Sequence, residues 1–431
     1  MTNPETDRPD PHPQLPPHPL RRIAKALGPG VVTGAADDDP SGVATYSVAG
    51  AQLGTMLLWT ALVTWPLMAA VQMTCARIGM VTGRGLAGAL RRKFSKRTLV
   101  AAAVALLLAN TINIAADLSG MADAAEMLTG INSHYFVVLF GVGISWAIIR
   151  FRYYQIAAIL KWLALVLFAY VIAAIHIGPD WGRVARDAFL PSVPAGRAGW
   201  ATLVAILGTT ISPYLFYWQA SQEVEEEKAM GRRMLPKRER ATPTEIFDRG
   251  VDVGIGTAFS NLVMFAIILT TAMTLHRHGL TNIETSKQVA QALRPLAGRF
   301  AEVLYTVGLV GVGLLAIPTL SGSAAYAFAE TFGWKQGLDQ KLTGARYFYA
   351  VMTLSTAAGV VLDFADVNPV KALYWSAVLN GLLAPFLLIG ILAVASDRKI
   401  MKGQPSSRLA RAAILVTTLL MFGAAIGMFA F

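Results

Sequence analysis

Apolar residues run along this chain in blocks of roughly 20, the length a helix needs to cross the hydrocarbon core of a bilayer, with short basic or polar stretches between them. The blocks predict eleven spans, at about 27–53, 54–79, 98–127, 134–150, 153–177, 199–224, 250–275, 300–331, 345–362, 368–396 and 409–430. Two of them are interrupted. In the first, Ala36-Asp37-Asp38-Asp39-Pro40-Ser41-Gly42 sets three carboxylates and a proline inside apolar sequence. In the sixth, Thr209-Thr210-Ile211-Ser212-Pro213-Tyr214 does so with hydroxyls. Proline removes a helical hydrogen bond, and at membrane depth a broken helix is tolerated only where protein or a water-lined cavity satisfies the freed groups. Paired breaks in corresponding positions of two halves mark a midplane transport site, and the carboxylates suggest a cation. If the first span began instead at Gly42, with the aspartates as an interfacial cap, the run from Val43 to Ala76 would be too long for one helix and short for two at about 1.5 Å per residue.

The breaks lie five spans apart, so the second five-span unit must insert upside down relative to the first. The expected fold is an all-α integral membrane protein with a 5+5 inverted repeat, helices 1 and 6 unwound, plus an eleventh helix. Its parts are a disordered cytoplasmic tail (1–22), a first repeat (23–177), a second inverted repeat (199–396) and an accessory helix (408–431). The tail holds seven prolines in its first twenty residues and no apolar run, which leaves it nothing to bury.

Composition agrees: 55% of the 431 residues are hydrophobic and 15% charged, with a mean hydropathy of +0.50. The net charge of +11 would suit a nucleic-acid surface only if the basic residues clustered on a soluble face. Most instead fall on one set of connections, which the positive-inside rule makes cytoplasmic. The N-terminus is therefore expected inside and the C-terminus outside, in a plasma (inner) membrane, with the bilayer and not nucleic acid as partner. Glu223 to Arg240 is expected to be a cytoplasmic connection that prolongs the sixth helix until Pro236 stops it. Val289, Leu293 and Leu296 predict a short amphipathic helix on the surface between spans seven and eight. Cys75 is alone, so neither a disulfide nor a thiolate cluster is available.

Ionisable groups inside spans cost about 2.5 to 3.5 kcal/mol each on insertion scales, so each needs a reason. Adjacent residues fan around a helix; all three aspartates face one point only if the chain unwinds, which Pro40 and Gly42 permit. Asp39, abutting the proline, is best placed to project into the gap, with Asp38 or Asp37 capping or facing the aqueous route. The sixth span offers Thr209, Thr210, Ser212 and Tyr214 hydroxyls and the carbonyls freed by Pro213, all hard oxygens; the same hydroxyls could instead heal a proline kink. Asn110, Asn113 and Asp117, at i, i+3 and i+7, form one polar stripe on the third span. It either lines an ion pathway or glues helices together, as do Asn261 and Asn380. No histidine falls mid-span, so no imidazole relay or histidine metal site is expected in the core. Nor does any hydrolase or intramembrane protease motif appear, so neither an enzyme nor a cofactor is expected.

Gly28-Pro29-Gly30 leading into Asp39-Pro40-Ser41-Gly42, together with the Pro213 segment, resembles the Nramp family of divalent-metal transporters over about residues 30 to 430. The resemblance implies the LeuT-type inverted-repeat fold. In that family the first helix carries Asp-Pro-Gly-Asn and the sixth Met-Pro-His, and the Asp, Asn and Met bind manganese or iron. Here Asp39 and Pro40 match, whereas Gly42 stands for the Asn, Ser212 for the Met, Tyr214 for the His and Gln219 for a second His. The family's acidic pair in span three is represented by Asp117 and lost at Gly120, and Ala377 replaces a span-ten glutamine. This pattern is similar to the family's magnesium-transporting branch. An all-oxygen site suits magnesium, calcium or manganese, and magnesium usually keeps several of its waters. The resemblance thus implies import of a hydrated divalent cation, Mg2+ and also Mn2+, without obligatory proton coupling. Asp39, Ser212, Thr209, Thr210, Gly42 and Tyr214 would form the site, and Asp38, Asp117, Asn113 and Asn380 the ion pathway. The alternatives are a proton-coupled Mn2+ or Fe2+ importer and a sodium-coupled carrier of a small solute on the same scaffold.

Overall fold

The computed structural model describes residues 29–151, 165–365 and 367–431. The tail 1–22, Gly28 and the first half of the fifth expected span lie outside the described residues. Among the described residues the regular structure is all helical, and thirteen helices frame the site: α1 (Pro29–Asp37), α2 (Pro40–Leu53), α3 (Trp59–Thr82), α4 (Lys96–Thr129), α5 (Ser133–Arg150), α6 (Phe168–Ile177), α7 (Gly196–Thr210), α8 (Pro213–Ala229), α9 (Pro243–Thr274), α10 (Ala301–Phe332), α11 (Arg346–Asp363), α12 (Pro369–Ala395) and α13 (Arg408–Ala430).

Both expected breaks are present. α1 and α2 are the halves of the first span, α7 and α8 those of the sixth. In each case the residue before the proline is driven out of the helical region: Asp39 has ψ 170° and Ser212 ψ 134°. The proline then opens the next helix, where its missing N–H costs nothing.

Among the described residues eight helical stretches are long and apolar enough to cross a membrane, and they correspond to eight of the eleven expected spans. The other three fall short for separate reasons. The first is divided into pieces of 9 and 14 residues. The fifth is described only from Leu165. α11, at 18 residues, carries Arg346, Thr353, Ser355, Thr356 and Asp363 and is the more polar for it. α9 starts seven residues before its expected position, because Thr242 and Glu245 form a capping box ahead of the apolar run.

Two expectations about connections are corrected. α8 stops at Ala229, well short of Pro236, and the chain reverses through Gly231 at φ 89°. Pro236 lies in a separate short helix, Leu235–Arg238. The segment after α9 is not one surface helix but a series of short turns, and it packs inward, with Val289 and Leu293 buried. Their apolar faces cover the ends of α4 and α10.

Glycines let the broken helices touch their neighbours. A Cβ on Gly34 of α1 would lie 2.3 Å from the Gly256 carbonyl of α9. One on Gly208 of α7 would lie 2.1 Å from the Ala377 carbonyl of α12. Helices in membranes associate through such small-residue contacts, and these two fix the halves that carry the breaks. Gly208→Ala is therefore expected to lower thermal stability in detergent by about 1–3 kcal/mol through overpacking. Gly250→Ala, where a Cβ meets nothing within 4 Å, is expected to leave it unchanged or raised, as measured by scanning fluorimetry.

Candidate ion-binding site

Asp39 is 2% exposed and sits where α1 and α2 part. Its Oδ1 accepts the Gly42 backbone N–H at 2.7 Å, which caps α2, and its Oδ2 accepts the Asn113 amide at 3.0 Å. The side chain thus does both things a carboxylate at this place can do: it satisfies a freed N–H and it faces the gap. Asn113 extends the contact to the Asp117 Oδ2 at 3.4 Å and takes the Asn380 amide on its own oxygen at 3.5 Å. Asp117 Oδ1 and Asn380 Oδ1 are buried without a hydrogen-bond partner. Buried acceptors are normally satisfied, so these are free oxygens one amide away from Asp39.

The stripe on the third span therefore divides. Asn113 and Asp117 join Asp39, whereas Asn110 donates to the Leu320 carbonyl and the Ser323 hydroxyl of α10 and acts as interhelical glue. Asn261 is also glue, accepting from Thr64 of α3 at 2.8 Å.

The sixth-span hydroxyls divide as well. Tyr214 donates to the Ala36 carbonyl at 2.9 Å and ties the second break to the first. Thr209 Oγ1, the Asp37 carbonyl and Asp39 Oδ1 surround Gly42, lying 3.2, 3.3 and 3.5 Å from where its Cβ would be. Gly42 is thus no open space for waters; three oxygens already converge on it. Ser212 donates to the Gly208 and Thr209 carbonyls, both at 2.7 Å, stitching the break, and only its lone pairs remain for a ligand. Thr210 donates to the Ile206 carbonyl and lies 3.2 Å from the Tyr46 hydroxyl, with no bond to Asp39.

Asp37 and Asp38 turn to a different neighbour from Asp39. Both are fully buried against α9, where the Ser260 hydroxyl lies 2.6 Å from Asp37 Oδ2 and 3.1 Å from Asp38 Oδ1. The close Gly34–Gly256 crossing pulls this turn onto α9 and away from Asp39. Among the described residues no three acidic, histidine or cysteine side chains are grouped to hold a metal; Asp37 and Asp38 converge on Ser260, while Asp39 turns to Gly42 and Asn113.

Sequence patterning missed two features. A Cβ on Gly313 would meet Met121 Sδ at 2.3 Å and Pro40 Cγ at 3.2 Å, so a thioether packs beside the break's proline. Its position four residues after Asp117, on the same helix face, was the available signal. The second is an ionic cluster buried at the face where α1 begins. Arg249 of α9, 8% exposed, pairs with Glu223, Glu226 and Asp252. Asp252 accepts the Gly30 N–H at 2.8 Å. Gln219 joins Glu223 to Thr33, each at 2.7 Å. Glu223, at the start of the charged segment, is 1% exposed, held between Arg249 and Gln219.

A broken-helix pair surrounding a buried carboxylate defines a membrane transporter of the LeuT-type fold. A chain of Mhp1, a nucleobase-cation-symport-1 family transporter, superposes on 94% of this chain and 92% of its own with a TM-score of 0.52 and 13% identity. The Eremococcus coleocola manganese transporter, in complex with an aromatic bis-isothiourea substituted compound, superposes with a TM-score of 0.74 and 18% identity, covering 94% and 86%. In sequence, the "Divalent metal cation transporter MntH" of Yersinia pestis (strain Pestoides F) is 30% identical over 317 residues, 70% of this chain and 73% of its own. The family profile "Natural resistance-associated macrophage protein-like" matches residues 30–430. The chain belongs to the Nramp family, and is a transporter rather than an enzyme.

Arg249 is expected to be the most stability-sensitive charged residue. Arg249→Ala would leave Glu223 and Asp252 buried without their cation, at a cost of about 3–5 kcal/mol, read as a lowered melting temperature of the purified protein.

Proposed function

We propose that this chain, a secondary transporter of divalent metal cations by its family, carries a hard, partly hydrated ion held chiefly by the Asp39 carboxylate. The observation that carries the proposal is Asp39 itself: a buried carboxylate between two half-helices, bordered by Asn113, Thr209 and the Asp37 carbonyl. Hard oxygen donors suit magnesium, calcium and manganese. Manganese is the first cargo, because the solved relative is named a manganese transporter and the oxygens around Asp39 accept it equally well. Magnesium is the second, favoured by Ser212 and Gly42 where the family carries Met and Asn. The filled surroundings of Gly42 mean that a hydrated magnesium ion needs the break to widen.

Asp117, linked to Asp39 through Asn113, is the group a proton-coupled importer would use. The membrane potential alone suffices as a drive, since two charges crossing 100 mV gain roughly 4.6 kcal/mol. With the N-terminus in the cytoplasm, as the basic connections favour, the Arg249 cluster would close the inner end of the path.

The test is uptake into proteoliposomes under an imposed potential, with Mn2+, Mg2+ and Cd2+ in turn and a pH dye inside. Mn2+ and Mg2+ are expected to enter without acidifying the interior, and Asp39→Ala to abolish both. Ser212→Met is expected to raise Cd2+ uptake relative to Mg2+. Retained uptake by a well-folded Asp39→Ala protein would refute the site; acidification during uptake would refute the uncoupled drive.

A further inference from the structure

A cavity of about 880 Å3 opens at the face opposite Arg249, between the end of α2 and the start of α7, the start of α12 and the end of α13. Its lining is sorted by depth. On α12, Lys371, Tyr374, Val378 and Leu382 follow at helical spacing down one wall, a descent of about 16 Å at ~1.5 Å per residue. On α7, Arg197 stands at the rim with Ala201 below it; on α2, Gln52 stands at the rim with Val48 below. The rim is thus basic and polar, and the depth is apolar.

Arg197 and Lys371 are exposed, and among the described residues no carboxylate lines the cavity. Two uncompensated cations repel a divalent metal, so this is not an entry funnel for the cargo. The open side carries Trp375 and Phe429, 56% and 70% exposed, and aromatic residues of this kind sit at the level of lipid headgroups.

We infer that this cavity is a binding site for one anionic phospholipid, with its phosphate at Arg197 and Lys371 and an acyl chain along α12. A zwitterionic lipid has the chain but lacks the net charge that the rim calls for. The cavity touches α2 and α7, the half-helices that lead into both breaks, so the lipid rests against the parts that must move.

The test is native mass spectrometry of the full-length protein in detergent, titrated with dioleoyl phosphatidylglycerol or dioleoyl phosphatidylcholine. Phosphatidylglycerol is expected to bind about 25-fold more tightly, about fivefold for each of the two cations. The preference should fall by about fivefold for each cation removed in Arg197→Gln and Lys371→Gln, while Arg299→Gln, outside the cavity, leaves it intact. Leu379→Trp, which fills the apolar depth with both cations in place, should weaken both lipids. Equal binding of the two lipids by the unaltered protein, or an undiminished preference in the doubly substituted one, would overturn the inference. So would unchanged binding in Leu379→Trp.

Discussion

A carboxylate removed from water must be given hydrogen bonds or a cation, since an isolated buried charge is among the most costly things a protein can hold. Asp39 receives the Gly42 N–H and the Asn113 amide, and the rest of the site follows from that demand. The Gly42 N–H is free to bond because Pro40 ends one helix and begins the next. The Asn113 amide is within reach because α4 passes the break with its polar stripe turned inward. The second break is brought up to the first by Tyr214, bonded to a carbonyl that α1 can no longer use. The second break therefore satisfies a group that the first one's unwinding exposes, while Ser212 stitches its own.

The same logic operates at the start of α1. A nine-residue helix has few hydrogen bonds of its own, and a short helix in isolation is marginal. α1 is instead held through Gly30 and Thr33 to α9 and α8, with Arg249 neutralising the carboxylates that do the holding. A tether made of polar groups can exchange its partners for water, whereas the Gly34–Gly256 contact cannot. α1 thus has one close-packed point, at Gly34, and one polar tether, at Gly30 and Thr33.

Much of this was legible in the residues. Proline after a run of aspartates, and proline after Ser212, announce both breaks because the residue before proline avoids the helical region. The pairing of Asp39 with the sixth-span segment followed from symmetry. The remainder depends on rotation about helix axes, which spacing constrains only to a face. Asn110 and Asn113 are one turn apart, yet one binds α10 and the other Asp39. Thr209 and Thr210 are adjacent, and only Thr209 turns to Gly42. Glu223 and Glu226 lie on the far side of a loop from Arg249, so their pairing with it depends on where the long Arg249 side chain reaches. Met121 escaped notice because a methionine in a span is ordinarily packing; its nearness to Pro40 arises from the missing side chain at Gly313, on another helix.

The central claim is that the cargo meets the protein at Asp39 and not at the neighbouring Asp37 and Asp38. Its most direct test is the anomalous difference density of crystals soaked in Mn2+. A peak about 2.0–2.6 Å from an Asp39 carboxylate oxygen, the range of hard cation–oxygen bonds, is the expected result. A peak beside Ser260 between Asp37 and Asp38, with none at Asp39, would contradict the account.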